Sequence, residues 1–218
     1  MPFKIEVWGD YACFSRPEMK VERCSYDVIT PSAARGLLEA IYWHPGMKWA
    51  IDKIYVLNKI EFTNIRRNEV KSKISARNVN AVIGGSNSLL YIATSDDIVQ
   101  RAALVLRNIH YIIEAHFELE SEKMLPEDNE GKFCDIIKRR LKKGQCYHQP
   151  CFGVREFPAH FRNWNGSEIV TAYPNEERDL GFMLYDIDYS ASDNIIPMFF
   201  RAKMKNGVID LRDCEVLR

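Results

Sequence analysis

The clearest periodic pattern in the chain lies near its start. Apolar residues recur there at the spacing of one buried helical stripe: Ala34, Leu37, Leu38, Ile41 and Tyr42. Thr30 is a suitable N-cap, Pro31 suits the first helical position, and Pro45-Gly46 predicts the end of the helix. The pattern therefore predicts a helix of about three turns that carries Tyr42 and Trp43 near its C-terminal end.

Alternation of apolar and polar residues predicts strands on both sides of this helix. Phe3, Ile5 and Val7 alternate with Lys4 and Glu6, which indicates a half-buried strand over residues 3–8. Residues 51–65 are rich in β-branched and aromatic side chains, which favour strands. The resulting β-α-β order continues most naturally as a split βαβ unit.

A further predicted strand, residues 102–119, has two unlike faces. One face carries Tyr111, Ile113, Ala115, Phe117 and Leu119, and the other carries His110, Ile112, Glu114, His116 and Glu118. Two histidines and two carboxylates on one face are commonly no more than an exposed polar surface. A histidine in such a place is also suited to general acid/base chemistry, because its ordinary pKa lies near neutrality.

The second half of the chain reads as one helix followed by strands. Phe133, Ile136, Ile137 and Leu141 predict an amphipathic helix that Gly144 ends, and the basic residues at its C-terminus complement the helix dipole. Strands are expected within residues 154–164, 181–187 and 195–203, and Asn206-Gly207 predicts a type I′ hairpin turn. We place the domain boundary so that one domain spans residues 1–145 and a β-rich one spans 146–218.

Overall charge does not indicate a partner, because 30 basic residues balance 30 acidic ones. A local excess does occur in residues 66–80, where five basic residues surround the single acid Glu69. This segment is either a solvated loop or a polyanion-binding one. No apolar run approaches the roughly 18 residues of a membrane helix, and the start of the chain is unlike a signal peptide, so we expect a cytoplasmic protein.

The six cysteines include no C-x-x-C pair, which is typical of a reducing compartment. Cys146, His148 and Cys151 are the nearest approach to a zinc-binding cluster. They lack a fourth ligand and the usual paired spacing, so we predict no metal site there.

Four stretches of the sequence together resemble one family: GDYACFSRPEMKVERCSYDVITPSAARGLLEAIYWHP, FTNIRRNEVKSKI, YIIEAHFEL and CFGVREFPAHF. They resemble the Cas-five family of CRISPR-associated proteins, in its subtype I-C or Dvulg branch. The resemblance implies an α+β protein with a ferredoxin-like, RRM-type domain followed by a small C-terminal antiparallel β domain. It also implies an endoribonuclease that cuts precursor CRISPR RNA at the base of the repeat hairpin and keeps the 5′ handle in a Cascade-like complex.

Within this resemblance, the family's tyrosine corresponds to Tyr42 and its histidine to His116. Pattern alone predicts a core aromatic at Tyr42, whereas the resemblance implies a catalytic residue that the helix projects towards the face of His116. The family's lysine beside the histidine is missing, because Glu114 and Ala115 stand there. Positive charge for the scissile phosphate is then expected from Lys48, Arg107 or the segment 66–77.

Basic residues in three parts of the chain are candidates for RNA binding: Lys20, Arg23, Arg66, Arg67, Lys71, Lys73, Arg77 and Arg155. The leading hypothesis is a metal-independent endoribonuclease that needs no cofactor and leaves a 2′,3′-cyclic phosphate. Its expected partners are precursor and mature CRISPR RNA and the other subunits of a subtype I-C surveillance complex. A second hypothesis is a non-catalytic subunit that binds the 5′ handle. A third is a nuclease that uses Glu114, Glu118 and a divalent metal to act on double-stranded DNA.

Overall fold

A computed structural model describes residues 2–19, 21–166, 168–189 and 195–218, and its architecture is α+β. The strands are β1 (Phe3–Ala12), β2 (Arg23–Cys24), β3 (Met47–Val56), β4 (Glu61–Val70), β5 (Ile98–Leu119), β6 (His160–Asn163), β7 (Glu177–Asp188), β8 (Ile196–Lys205), β9 (Val208–Asp210) and β10 (Val216–Leu217). The α-helices are α1 (Pro31–Ile41), α2 (Ala76–Ile83) and α3 (Glu130–Lys143).

The strands of the described ranges belong to one sheet. Its central order is β6-β1-β5-β3, and it continues from β3 through β9 and β8 to β10. These neighbours are antiparallel, whereas β2 adds to β5 in parallel. Helix α1 lies in the connection from β1 to β3, and α3 lies in the connection from β5 to β6.

Helix α1 confirms the predicted start and buried stripe. The Thr30 hydroxyl accepts a hydrogen bond from the backbone N–H of Ala33 at 3.2 Å, as an N-cap does. The helix ends at Ile41, earlier than Pro45-Gly46 predicted, because Tyr42 adopts an extended backbone with φ −152° and ψ 123°. The guanidinium of Arg140 on α3 donates to the Ile41 carbonyl at 2.5 Å and so closes the helix end.

The loop prediction for residues 66–80 was wrong over most of its length. Residues 66–70 belong to β4, which pairs with β5 from Glu61 opposite Arg107 to Val70 opposite Ile98. The partner ladder exists because β5 starts at residue 98, earlier than the apolar alternation of residues 102–119 indicated. Residues 76–83 then form α2, none of whose side chains is buried. We call residues 61–83, which comprise β4, α2 and their link, together with residues 98–106, the arm.

The C-terminal predictions were confirmed in part. The expected strand at 181–187 lies within β7, and the one at 195–203 matches β8 from Ile196 onward. Of the segment 154–164, only residues 160–163 form a strand. Asn206 and Gly207 have φ values of 53° and 74°, as a type I′ turn requires. The division at residue 145 stays a prediction, and the strands of its two sides pair in one sheet: β6 with β1, and β9 with β3.

The two faces of the sheet differ in what covers them. The inner face carries buried apolar side chains, among them Ile5, Val7, Ile113 and Ala115, and lies under α1 and α3. The open face carries polar and aromatic side chains: Lys4, Trp8, His110, Glu114 and His116. No helix in the described ranges is both long enough and apolar enough to cross a membrane.

Candidate active site

His116 lies on the open face, and a carboxylate holds its ring. Nδ1 of His116 is 2.9 Å from Oδ1 and 3.0 Å from Oδ2 of Asp52. Because a carboxylate accepts hydrogen bonds, this contact places the proton of the neutral ring on Nδ1 and leaves the lone pair on Nε2. The His116 side chain is 43% exposed, and Nε2 has no hydrogen-bond partner among the described residues. Nε2 is therefore available as a general base.

A β-bulge puts Asp52 in reach of His116. Along β3, Ala50 pairs with His116 and Ile51 with Ala115, but the next partner, Glu114, pairs with Lys53. Asp52 is the extra residue of the bulge. It lies two residues after Ala50, the partner of His116, so its side chain is on the same face as that of His116. Little in the residue pattern points to this role, since a lone aspartate in a strand-like segment is usually a surface residue.

A cavity of about 340 Å³ opens beside the His116 ring. Its walls are formed by Pro2, Asp52, Glu114, His116, Phe117, Glu130, Cys134 and Arg212. Arg212 donates from Nε to Asp210 at 2.9 Å, and this pairing lowers the pKa of Asp210 to about 2. The ammonium of Lys53 lies 3.7 Å from the same carboxylate, so two cations share one anion here. Arg212 is therefore the cation of the cavity wall that can meet a phosphate, and it stands there with the carboxylates of Asp52, Glu114 and Glu130.

Arg212 is the cation that sequence reasoning missed, because it reaches the cavity from the far end of the chain. Of the predicted sources, Lys48 lies opposite Glu118 in the register and is exposed on the face that carries His116. Arg107 lies nine residues before His116 on β5, which is roughly 30 Å along the strand, and its guanidinium is paired with Glu61 at 2.9 Å. The segment 66–77 lies farther still, in the arm.

Glu114, which stands near the expected lysine position, is already engaged. Its carboxylate accepts a hydrogen bond from the Tyr55 hydroxyl at 2.8 Å and lies 3.4 Å from the Lys4 ammonium. Burial and this hydrogen bond raise the pKa of Tyr55, so the phenol stays protonated and keeps donating. Glu114 therefore balances the charge of Lys4 and holds the Lys4 and Tyr55 side chains in place on the open face.

Tyr42 is not brought beside His116. Its side chain is only 4% exposed, with its ring 6.3 Å from that of Phe133 and 5.0 Å from the Arg140 guanidinium. Phe133 also packs on Phe117, whose side chain points to the face opposite that of His116. The Tyr42 hydroxyl is buried with no hydrogen-bond partner in the described part of the chain, and burial raises its pKa.

The predicted RNA-binding residues fall into three groups. Arg23 and Arg67 are each paired with a carboxylate at 2.9 Å, Glu69 and Glu156 respectively. Five others are exposed and have no ion pair within the described residues: Arg66, Lys71, Lys73, Arg77 and Arg155. Lys20 lies outside the described residues. All but Arg155 of the exposed group lie in the arm.

Metal ligation finds little support in this geometry. Among residues 2–19, 21–166, 168–189 and 195–218, no three or more His, Cys, Asp or Glu side chains are arranged to hold a metal ion. Glu114 is occupied by Lys4 and Tyr55, and Asp52 by His116. Of the two carboxylates that the third hypothesis invoked, Glu114 and Glu118, the first is thus already engaged by protein groups.

Comparisons with known proteins agree with the sequence resemblance. A family model described as "CRISPR-associated protein (Cas_Cas5)" matches residues 3–212. The chain is 52% identical over 213 residues to the "CRISPR pre-crRNA endoribonuclease Cas5d" of Mannheimia succiniciproducens, covering 95% of this chain and 93% of that one. It is 37% identical over 225 residues to the protein of the same name from Thermus thermophilus, covering 95% and 90%. The fold is similar to a solved "Crystal Structure of CRISPR-associated Protein", with a TM-score of 0.72, 22% identity and coverage of 100% of this chain and 97% of that one.

Proposed function

This chain belongs to the Cas5 family of CRISPR-associated proteins, in its Cas5d branch, and we propose that it is an endoribonuclease that cuts precursor CRISPR RNA. Its curated relatives carry that activity in their names. The observation that carries the proposal for this chain is the Asp52–His116 pair. His116 lines a cavity that has a cation in its wall, and its Nε2 has no partner among the described residues.

The proposed chemistry is an internal displacement at the scissile phosphate. Nε2 of His116 takes the proton of the 2′-hydroxyl, O2′ bonds to phosphorus, and the bond from phosphorus to O5′ breaks. Asp52 stabilises the imidazolium that forms, and Arg212 stabilises the charge on the phosphate oxygens. The products are a 2′,3′-cyclic phosphate and a 5′-hydroxyl, and none of these steps calls on a metal.

A general acid must also deliver a proton to O5′. Tyr42 is the residue that the family resemblance offers for catalysis, but its hydroxyl is buried against the inner face. A direct role for Tyr42 would require the end of α1 to move when RNA binds. We therefore assign His116 the central role and keep Tyr42 as a prediction to be tested.

The same family supports a wider role after cleavage. We propose that the protein keeps the 5′ handle of the mature RNA and joins other subunits of a subtype I-C surveillance complex. The β-α-β-β-α-β order of β1, α1, β3, β5, α3 and β6, with strand order β6-β1-β5-β3, supports a ferredoxin-like core of the RRM type. Such cores commonly present one sheet face to RNA.

One observation favours the second hypothesis, a subunit that binds the 5′ handle without cutting. Among the residues that the structure describes, neither Tyr42 nor a lysine in the place of the family's catalytic lysine stands beside His116. If the protein only binds, purified protein will retain repeat RNA and release no product over hours, and His116→Ala will bind it equally well.

The deciding experiment incubates the protein with its cognate repeat RNA, with and without EDTA. We expect one cut, resistance to EDTA, a cyclic phosphate end and complete inhibition by a 2′-deoxy substitution at the cleavage site. His116→Ala should slow the cut by about 10²- to 10⁴-fold. His148→Ala, which removes an exposed histidine away from the cavity, is the matched control. An unchanged rate in His116→Ala would overturn the assignment, and strict dependence on Mg²⁺ would favour the metal-dependent alternative.

A further inference from the structure

A second groove adjoins the cavity of His116 and is larger, with a volume of about 900 Å³. It runs between α3 on one side and the start of β1 and the end of β6 on the other. The two spaces share walls, namely Pro2, Glu130 and Cys134. A chain lying in this groove would therefore pass directly into the cavity where we place the scissile phosphate.

One row of α3 supplies the helical wall of the groove. Glu130, Cys134, Lys138 and Lys142 follow one another at intervals of four residues and so lie on the same side of the helix. Lys138 and Lys142 are exposed, and neither has a carboxylate within ion-pair distance in the described part of the chain. Interaction with the helix dipole explains why basic residues lie near this end of α3. It does not explain why two of them, Lys138 and Lys142, line the groove.

The opposite wall combines an aromatic ring with further positive charge. Trp164 is half-buried, and its backbone N–H donates to the Lys4 carbonyl at 2.9 Å, which fixes it to the edge of β1. Gly166 lies under the indole so closely that an added Cβ would overlap the ring. Arg162 is held by Glu6, with its Nη2 at 2.9 Å from Oε1. The indole is thus a fixed, accessible surface next to fixed charges.

Charge selects the kind of ligand that this groove can hold. Four cationic side chains, Lys4, Lys138, Lys142 and Arg162, line it against the single carboxylate of Glu130. Lys4 and Arg162 are balanced by Glu114 and Glu6, which leaves the two lysines of α3 uncompensated. A polyanion with accessible aromatic faces satisfies both the lysines and the indole, and single-stranded nucleic acid is such a ligand.

We propose that this groove binds the single-stranded RNA next to the cleavage site, with Lys138 and Lys142 on phosphates and Trp164 stacked on a base. This inference rests on the proposed function and deepens it, because it names the segment of RNA that the site holds. Paired RNA does not suit the groove, since its bases are already stacked within the helix and cannot lie on an indole.

The first test removes the two lysines of the groove and compares them with two neighbours. Lys138→Ala/Lys142→Ala is matched by Arg139→Ala/Lys143→Ala, which lowers the charge of the same helix end by the same amount but does not touch the groove. The probe is cognate repeat RNA made uncleavable by a 2′-deoxy substitution at the cut, and Kd is measured across a salt series.

We expect the groove pair to weaken binding and to lower the slope of log Kd against log salt by about 1.4, two single-strand contacts at about 0.7 each. The control pair should leave the slope unchanged. Equal slopes for the two double variants would overturn the inference. A blunt hairpin without its single-stranded flank should bind both variants alike, and a loss confined to the groove pair with that hairpin would also count against it.

The second test addresses stacking on Trp164. Trp164→Ala should weaken binding of the flanked RNA by roughly five- to 150-fold, the range expected for one base on one aromatic ring, and Trp164→Phe should restore part of it. Thermal unfolding of each variant checks that the fold is kept. Unchanged affinity in a folded Trp164→Ala variant would remove Trp164 from the site.

These outcomes separate the inference from the function beneath it. Normal RNA affinity in the groove variants, together with loss of cleavage in His116→Ala, would contradict RNA binding by the groove and support the proposed nuclease function. Loss of affinity in the groove variants, together with full cleavage in His116→Ala, would support the groove and defeat the assigned active site.

Discussion

The long strand β5 joins two regions whose charges are held in opposite ways. Around His116, at its C-terminal end, polar groups are fixed by partners: Asp52 holds His116, and Lys4 and Tyr55 hold Glu114. In the arm, at its N-terminal end, Lys71, Lys73 and Arg77 are exposed and without ion pairs among the described residues. Catalysis needs groups fixed before the substrate arrives, whereas attraction of a polyanion needs only uncompensated charge.

Apolar side chains are also packed at the His116 end and exposed in the arm. Phe117 and Phe133 pack on one another beneath the His116 end. In the arm and the segment after α2, Ile83, Leu89 and Tyr91 are 78%, 85% and 70% exposed. The arm is therefore stabilised mainly by its ladder with β5, and we expect it to be the more adaptable region when RNA or another subunit binds.

The largest effect is expected at the fixed end, from Asp52→Asn. An amide at this position can donate to Nδ1, which would move the proton of the ring to Nε2 and remove the base. Single-turnover cleavage should fall by about 10²- to 10⁴-fold, with RNA affinity unchanged. Glu118→Gln, a carboxylate on the same face without a contact to His116, should retain activity. A wild-type rate in Asp52→Asn would show that His116 needs no orienting partner.

Tyr42→Phe tests whether the inner face takes part in the chemistry. The buried hydroxyl without a partner costs stability, so its removal should raise the free energy of unfolding by about 1 kcal/mol. If Tyr42 is catalytic, as the family resemblance implies, the same variant should cut markedly more slowly. Thermal unfolding and cleavage assays on one preparation give both answers. Higher stability with unchanged cleavage would make Tyr42 a core residue.

A smaller effect is expected from the arm. Lys71→Ala/Lys73→Ala/Arg77→Ala should lower the salt slope of RNA binding by about 2, because each single-strand phosphate contact contributes about 0.7. Cleavage at saturating RNA should stay the same, since none of these residues lines the cavity. Arg23→Ala is the comparison, because its charge is already balanced by Glu69. An equal change in slope for Arg23→Ala would remove the distinction between paired and unpaired cations.

The smallest effect concerns stability in acid. Hydrogen bonds from Arg162 and His110 lower the pKa of Glu6, although burial opposes them, below the ordinary value of 4.5. A carboxyl with a lowered folded pKa stabilises the protein above its unfolded pKa, and that contribution is lost as the pH falls below about 4.5. Unfolding temperatures measured from pH 6 downward, at roughly half-unit steps, should therefore fall more gently for Glu6→Gln than for the parent protein. Asp179→Asn removes an exposed ion pair with Arg201, and it should change the fall of the unfolding temperature with pH less than Glu6→Gln does.

Sequence patterns predicted the elements that rest on local chemistry. Helix α1 followed from Thr30, Pro31 and the apolar stripe, and the alternation of β5 placed His116 on the open face. The arm was missed because β4 is polar at its far end, and its strand geometry comes from the ladder with β5 rather than from its own composition.

The site was predictable only where a residue carries its own signal. His116 is recognisable in its strand, but its two supporting groups come from elsewhere. Asp52 depends on a bulge, and Arg212 on the return of the chain end to the sheet through β9. For Tyr42 the apolar stripe correctly indicated burial, which the family resemblance could not reveal.

Because of the bulge in β3, the presence of a carboxylate beside His116 depends on the number of residues in this strand. The bulge gives β3 one more residue than the facing part of β5, so the side chains of both Asp52 and Lys53 can face outward. Deleting Asp52 itself would leave Ile51 opposite Ala115 and Lys53 opposite Glu114 in a regular ladder, with the neighbouring side chains on their present faces. The protein would then keep its fold and its histidine while losing the histidine's carboxylate. In searches among relatives, the spacing along this strand should accordingly be examined together with the identity of the residues.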